Sequence, residues 1–320
     1  MNIFRLLITT PLGYILGWIN EFVNNYGVAI ILFTVLIKLI LLPLGLKQQK
    51  SMTKMQRIQP KLKEVQEKYK YDQNKASQET MKLYKEYGVN PAGGCLPLLI
   101  QFPILIGLYQ VIYRPLTYIL HMSASQIDKL KTAYKLTETA SSRMAEIVIA
   151  EGEKLLNFNF FGLNLSEIPW DALKTNFTNP KSLALLIIPI LAAVSTFLTS
   201  KITTVINKDK TPKDEKNKTL ERVLSPDQKK SGDTQSAESM TKSMTVVMPF
   251  MTLWFALTLP SAMGLYWVIS NVLSLGQTVL LNGYYNKKLE SEISEQDAVR
   301  EQKLLEKQKK YNINKKKKRG

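Results

Sequence analysis

The sequence contains very little of the two residues on which disulfide frameworks and most transition-metal sites depend. One cysteine, Cys95, stands among 320 residues, which excludes an internal disulfide and a cysteine-based metal cluster. One histidine, His121, argues in the same way against a histidine metal site. We therefore expect neither a metal nor another cofactor.

Acidic residues are missing from the long apolar stretches of the chain. A helix needs about 20 mainly apolar residues to cross the hydrocarbon of a bilayer, and five stretches approach this length without any Asp, Glu or His. They are Val28–Leu46, Cys95–Tyr113, Leu183–Ser200, Met244–Leu259 and Ala262–Asn282. Intramembrane hydrolysis needs paired acids, a nucleophile with its base, or a bound metal. The sequence therefore predicts an all-α membrane protein with five transmembrane helices and no enzymatic activity.

Positive charge is abundant but unevenly distributed, with a net charge of +17 from 43 Lys and Arg against 26 Asp and Glu. Residues 47–90 hold 11 basic and 5 acidic residues, residues 201–242 hold 10 and 7, and the tail from Tyr284 holds 12 and 6. Residues 119–181 are balanced, with 7 of each. Because basic loops stay in the cytoplasm, the N-terminus is expected outside and the C-terminus inside. The net charge also indicates an acidic partner, such as anionic lipid, RNA or acidic polypeptide.

The N-terminal arm admits two interpretations. Apolar residues recur every three or four positions from Phe4 to Phe22, which favours an amphipathic helix on the outer leaflet. Arg5 before an apolar run is also typical of a cleaved signal peptide. Pro11 interrupts that run and no small-residue cleavage site follows. The retained interfacial helix is therefore the preferred interpretation.

These patterns give a complete predicted order of segments. Apolar residues at three-four spacing after Gln49, with a break expected at Pro60, indicate a helical hairpin between the first two spans. The order is an extracytoplasmic amphipathic arm 1–25, span one 26–46, cytoplasmic helical hairpin 47–92, span two 93–118, extracytoplasmic segment 119–181, span three 182–201, cytoplasmic loop 202–242, spans four and five 243–283, and basic cytoplasmic tail 284–320. The loop portion Asn207–Lys242 has the composition of a disordered segment.

Lys38 lies near the middle of the first predicted span, where an ammonium group costs at least about 2.5–3.5 kcal/mol. An ion pair with an acid on another span is excluded, since the spans contain none. Lys38 must then meet water or neutral polar groups, which predicts a water-containing hollow with one positive charge. A neutral polar side chain within a span more often makes a packing contact between helices than a functional contact. The candidate polar groups are Thr34, Gln101, Gln110, Ser195, Thr196, Ser270, Asn271, Ser274 and Gln277.

The C-terminal run Lys315-Lys316-Lys317-Lys318-Arg319 is a site for electrostatic binding without sequence specificity. Such runs bind the phosphates of RNA, which here points to a ribosome. They also bind anionic lipid. The sequence favours neither the ribosome nor anionic lipid as the partner of this run.

Several of these segments together resemble the YidC/Oxa/Alb family of membrane protein insertases, in its short Gram-positive form. The resemblance rests on MQRIQPKLKEVQEKYK and MKLYKEYGVNPAGGCLPLLIQFPILIGLY, on TVLIKLILLPL in the first span, and on LPSAMGLYWVISNVLSLGQ across the fourth-to-fifth turn. It covers roughly residues 25–118 and 180–283.

The resemblance implies a hydrophilic groove that is open to the cytoplasm and to lipid. In this family a positive residue in the first span attracts acidic groups of a client's translocated tail. Lys38 matches that position, where many members carry Arg, Trp267 matches the fifth-span aromatic, and Gln101 matches a polar second-span position. With the polar residues Thr34, Ser195, Thr196 and Asn271, these form the predicted client groove.

The function this implies is insertion and chaperoning of nascent membrane proteins at the bacterial plasma membrane. The expected partners are nascent clients, the ribosome, the Sec translocon and anionic lipids, with a monomer as the active form. The alternative is a small anion channel or transporter that uses Lys38 in a polar cavity. Transporters usually show an internal repeat, and the five unequal spans show none.

Overall fold

The structure is a computed structural model that describes residues 3–90, 96–136, 144–175, 178–208 and 237–317. Within these ranges the regular structure is helical except for one short β-hairpin, which confirms the all-α prediction. Most of the predicted disordered loop, residues 209–236, lies outside the described ranges. A π-helical turn Arg5–Thr9 precedes α1 Thr10–Val23, α2 Tyr26–Ile40, α3 Leu42–Arg57, α4 Gln59–Lys68, α5 Gln73–Glu86, α6 Leu96–Tyr113, α7 Pro115–Tyr118, α8 Ala124–Ala133, α9 Ala145–Gly152, β1 Asn159–Phe160, β2 Leu163–Asn164, α10 Pro169–Thr175, α11 Pro180–Leu185, α12 Ile187–Lys208, α13 Ala237–Thr258 and α14 Ser261–Lys317.

The chain forms two compact units. The first unit, called the bundle, holds the apolar helices and the segment that joins α6 to α11. The second unit, called the basic unit, holds the rest of α3, α4, α5 and the C-terminal part of α14. The bundle consists of Met1–Gly45, Leu96–Thr204 and Asp233–Gly276, and the basic unit consists of Leu46–Cys95, Val205–Gly232 and Gln277–Gly320.

Three described helical stretches have the length and hydropathy to cross a bilayer, so the chain is a multi-pass membrane protein. They are Arg5–Val23, Pro180–Thr203 and Ser261–Leu281. The last two correspond to predicted spans three and five. Predicted spans two and four correspond to the shorter apolar stretches Leu99–Tyr113 and Val247–Thr258. A total of five spans stays a prediction.

Predicted span one is a bent pair of helices rather than a straight one. The axes of α2 and α3 meet at 65° around Leu41, and the pair adds a fourth candidate span if both helices are counted together. Pro43 explains the break, since a proline cannot donate to the carbonyl four residues earlier and its ring collides with that carbonyl. Lys38 therefore lies in the last turn of α2, just before the bend.

The N-terminal arm is helical and packs closely on the bundle. Leu12, Leu16 and Ile19 are buried in the core. Gly13 lies against Tyr118, where an added Cβ would stand 2.5 Å from the Tyr118 carbonyl oxygen. The absence of a side chain thus lets α1 approach the backbone at the end of α7. Because this stretch is also long and apolar enough to span, its interfacial placement stays a prediction.

One end of the bundle is closed by backbone carbonyls, which we call the carbonyl cap. The carbonyl of Asn157 accepts the first amide of α2, from Tyr26, at 2.9 Å. The carbonyl of Glu167 accepts the Ser261 amide at 2.9 Å, and that of Leu165 accepts the next amide at 3.0 Å. The first amides of a helix have no partner within it. The cap satisfies them and fixes the starts of α2 and α14 to one segment.

In the basic unit, α4 and α5 form a hairpin with a small core of its own. Ile58 and Leu62 pack on Leu83 and Tyr87, all of them at most 2% exposed. Lys61 donates from Nζ to the Tyr87 hydroxyl at 2.7 Å. The apolar stripe seen in the sequence is thus largely used inside the hairpin. A helix begins again at Gln59, next to Pro60, where the spacing predicts a break.

The basic unit also contains a three-residue ion cluster between α3 and α14. Glu292 accepts from Lys54 at 3.0 Å and from Lys50 at 3.4 Å. The hydrogen bond and charge of Lys54, followed by those of Lys50, hold the pKa of the Glu292 carboxyl below its usual value. The cluster lies at the surface, where such pairs contribute little to stability.

Candidate functional site

The ammonium of Lys38 meets a neutral hydroxyl on the last apolar helix. Lys38 Nζ donates to Ser274 Oγ at 2.8 Å, and the Ser274 hydroxyl in turn donates to the Ser270 carbonyl at 2.8 Å. In the described part of the chain, no carboxylate lies within ion-pair distance of Lys38. The lysine therefore keeps its positive charge uncompensated by any described acid.

A second polar contact joins α12 to α14. Asn271 donates from its side-chain amide to Ser195 Oγ at 3.0 Å and to Thr196 Oγ1 at 2.8 Å. Both hydroxyls donate to the Ala192 carbonyl, and the Thr196 and Thr252 hydroxyls stand 3.4 Å apart. This cluster links α12, α13 and α14, with Asn271 at its centre.

Gln101 and Trp267 make the remaining contacts of the predicted groove set. Gln101 donates to the Tyr266 hydroxyl at 2.7 Å, which ties α6 to α14. The Trp267 ring stacks near Phe255 of α13, with the ring centroids 6.1 Å apart. The side chains of Gln101 and Trp267 are both partly exposed.

Thr34 differs from the other predicted groove residues. It is fully buried, and its hydroxyl donates to the Ile30 carbonyl one turn earlier in α2 at 2.6 Å. Its polar group is therefore already used by its own helix. Among the predicted set, the structure brings together Asn271, Ser195 and Thr196 in one cluster.

Each residue of the predicted client groove outside α2 lies on α14 or touches it, whereas Gln110, a candidate partner of Lys38, accepts from the Thr9 hydroxyl at 3.2 Å. Tyr266, Trp267, Asn271 and Ser274 follow one another at intervals of one, four and three, so they cover one broad side of that helix. The contacts of this side run to α2, α6, α12 and α13. The arrangement places one cation and several neutral hydrogen-bonding groups along a single helix. Such a set of groups suits transient binding of a polar or acidic polypeptide segment.

Three of the participating residues were left out of the predicted groove set. Tyr266 and Thr252 were missed, and Ser274 was named among the possible partners of Lys38 but not among the groove residues. A signal was available for Ser274, which stands three residues after Asn271 and therefore on the same side of α14. The roles of Tyr266 and Thr252 depend on neighbouring helices and left no such signal.

The basic C-terminal run is only partly described. Lys315, Lys316 and Lys317 form the end of α14, and Lys318 and Arg319 lie outside the described residues. His121 stacks on Tyr14 with ring centroids 3.9 Å apart. In the ranges that the structure describes, no three His, Cys, Asp or Glu residues are grouped as metal ligands would be.

Removing the amide of Asn271 should weaken the contact between α12 and α14. Interhelical hydrogen bonds in membranes contribute on average about 0.6 kcal/mol each, so Asn271→Leu should lower the free energy of unfolding by about 1 kcal/mol. Thermal unfolding in detergent measures this. Val272→Ala, at the exposed neighbouring position, serves as the control. An equal melting temperature for both variants would contradict the bridging role of Asn271.

Comparison with known proteins identifies the family of the chain. The family model described as 60Kd inner membrane protein matches residues 18–288. Membrane protein insertase YidC 2 of Listeria innocua is 35% identical over 305 residues, which cover 94% of this chain and 79% of the relative. Membrane protein insertase YidC 1 of Listeria monocytogenes matches at the same identity and coverage.

Other relatives match over a shorter region. Membrane protein insertase YidC of Granulibacter bethesdensis is 44% identical over 106 residues, or 33% of this chain and 18% of that protein. A solved structure of an active YidC insertase is 24% identical with a TM-score of 0.47, covering 87% of this chain and 47% of that one. The long matches to the Listeria proteins, together with the family model, decide the assignment: the chain belongs to the YidC/Oxa/Alb family of membrane protein insertases.

Proposed function

We propose that this protein inserts hydrophobic segments of nascent proteins into the bacterial plasma membrane and shields them as a chaperone. The observation that carries the proposal is the contact of Lys38 with Ser274, in which a cation in the last turn of an apolar helix has a neutral partner. A hydrophilic groove along α14, bordered by α2 and α12, is the proposed client path. The insertase role is supported by the relatives that carry this name over most of the chain.

The physical task explains why such a groove needs no catalytic group. Moving an unfolded polar tail through hydrocarbon is costly because its backbone amides and carbonyls lose their hydrogen bonds to water. A groove with neutral donors and acceptors shortens the dry part of the path. A fixed cation at Lys38 gives acidic tails a transient binding point.

The proposed topology has five spans with the N-terminus outside. In it, α6 and the apolar part of α13 cross the membrane together with the bent pair α2 and α3, the stretch Pro180–Thr203 and the start of α14. The balanced segment 119–181, which includes the carbonyl cap, then lies outside. The cap would close the groove at that end, since the helices it holds are the two that meet at Lys38 and Ser274.

Depletion of the protein in its host, with rescue by a plasmid copy, tests the function directly. The readout is protease protection of a single-span client with an acidic N-terminal tail. Rescue by the wild-type chain is the expected result. Failure of that rescue, together with a large anion-selective current from purified protein in a voltage-clamped bilayer, would favour the anion channel or transporter.

The basic end of the tail is proposed to bind the ribosome. Deleting Lys315–Arg319 removes five positive charges and should reduce co-sedimentation with ribosomes, with the largest loss at low salt. The matched control keeps the length and replaces the same five residues by glutamine. If both variants bind ribosomes as the wild type does, the run is instead a site for anionic lipid. The groove itself is proposed to work as a monomer, in cooperation with the Sec translocon for some clients.

A further inference from the structure

A cavity of about 750 Å³ lies in the bundle at the C-terminal end of α6, where the N-terminal arm meets α6 to α9. Its volume falls within the range of roughly 300–1,000 Å³ that is usual for small-ligand sites. None of the predicted client-groove residues lines it, although Gln110, a candidate partner of Lys38, does. The cavity lining includes Arg5, Tyr109, Tyr113, Arg114, Lys131 and Glu146.

Three cations from three different elements face this cavity. Arg5 comes from the turn before α1 and lies over the ring of Tyr118, 5.4 Å from its centroid. Arg114 follows α6, and Lys131 comes from α8. The described residues place no carboxylate within ion-pair distance of either guanidinium. Two arginines that line one cavity and form no ion pair with a described carboxylate make a site for a phosphate group, which arginine binds well.

The two carboxylates of the cavity do not neutralise the arginines. Glu146 is buried and accepts the amide and the hydroxyl of Thr117, at 2.9 and 2.8 Å. Asp128 lies 3.8 Å from Lys131 on the same helix. Glu146 thus holds α9 to α7, and Asp128 partly offsets one cation. The cavity keeps a net positive charge.

Apolar side chains beside the cations indicate what kind of phosphate compound fits. Ile3, Leu6 and Leu7 flank Arg5 in the sequence and are 72%, 51% and 67% exposed. A free phosphate ion would gain nothing from them. An amphipathic molecule, with an anionic head and acyl chains, would use both the cations and this apolar surface.

We propose that this cavity binds the head group of an anionic phospholipid, with the phosphate at Arg5 and Arg114 and the acyl chains along Ile3, Leu6 and Leu7. Such a lipid would join the N-terminal arm to α6 and α8. The site is separate from the client groove. The proposed lipid contact is the same whichever leaflet of the membrane supplies the lipid.

Native mass spectrometry of the purified full-length protein tests this, by titration with phosphatidylglycerol and, separately, with phosphatidylcholine. A basic residue near a lipid surface contributes about 1 kcal/mol, so Arg114→Gln should weaken phosphatidylglycerol binding about fivefold. Lys131→Gln should also weaken it. Lys129→Gln, which removes the same charge from an exposed position outside the cavity, should leave it unchanged.

Asp128→Asn supplies a change of opposite sign. Removing this carboxylate from the cavity should strengthen phosphatidylglycerol binding by a similar factor, which a merely disturbed fold would not do. Equal affinity for the two lipids, or equal weakening by Lys131→Gln and Lys129→Gln, would overturn the proposal. So would displacement of the lipid by inorganic phosphate or by a glutamate-rich peptide at equal concentration, which would assign the cavity to free anions or to client tails.

Discussion

Replacing Lys38 by alanine should reduce the insertion of clients with acidic translocated tails by about tenfold or more. Hydrogen bonds to charged groups contribute about 1.5–3 kcal/mol, and every 1.4 kcal/mol corresponds to a factor of ten. Lys38 is half-buried at the end of α2, and its Nζ already reaches across to Ser274 at 2.8 Å. The measurement is the rate at which a single-span client becomes protease-protected in cells that depend on the plasmid copy.

Two matched controls separate charge from packing at this position. Lys38→Arg keeps the cation and should retain most activity. Ser274→Ala removes the hydroxyl that accepts from Lys38 but leaves the charge, so it should also be tolerated. A client whose tail acids are replaced by their amides should be much less sensitive to Lys38→Ala. If the alanine variant inserts the acidic client at the wild-type rate, attraction by Lys38 plays no part in the mechanism.

Adding a single methyl group at Gly13 should destabilise the bundle. The Cβ of an alanine would lie 2.5 Å from the Tyr118 carbonyl oxygen and 2.8 Å from the Tyr118 Cβ. These atoms belong to the backbone and the base of a buried side chain and cannot move aside easily. Overpacking of this kind costs about 1–3 kcal/mol, which exceeds the helix-propensity gain of up to ~1 kcal/mol from glycine to alanine.

Gly276 is the matched control, because an added Cβ there has no described neighbour within 4 Å. Gly276→Ala should therefore raise the melting temperature slightly, by the propensity gain alone, whereas Gly13→Ala should lower it. Thermal unfolding of both variants in the same detergent decides the matter. A Gly13→Ala variant at least as stable as wild type would show that α1 does not pack on the Tyr118 backbone.

The sequence was sufficient for features that depend on composition along one helix. The apolar runs Leu183–Ser200 and Ala262–Asn282 predicted spans where the structure has the candidate spans Pro180–Thr203 and Ser261–Leu281. The 65° angle near Leu41 could not be predicted, because it depends on what packs against each half of the pair.

Features that depend on pairing between elements were harder to predict. The stripe around Ile58 and Leu62 has the same spacing whether it faces lipid, a client or Leu83 of its own hairpin. The carbonyl cap uses backbone atoms, which every residue possesses, so it leaves no sequence signal. The contact of Lys38 with Ser274 depends on the relative height of two helices, which the sequence of either helix alone does not contain.

The positions of Lys38 and Ser274 along α2 and α14 follow from the carbonyl cap. These positions determine how sensitive the contact between the two side chains is to a rotation of one helix against the other. Lys38 lies 12 residues beyond Tyr26 and Ser274 lies 13 beyond Ser261, so both stand about 18–20 Å from their capped ends at 1.5 Å per residue. Two rods hinged at one end separate by about 0.3 Å per degree at that distance, by the same rise per residue. An opening of about three to four degrees would therefore carry the 2.8 Å contact past the hydrogen-bonding range and free the ammonium, while the capped ends barely move.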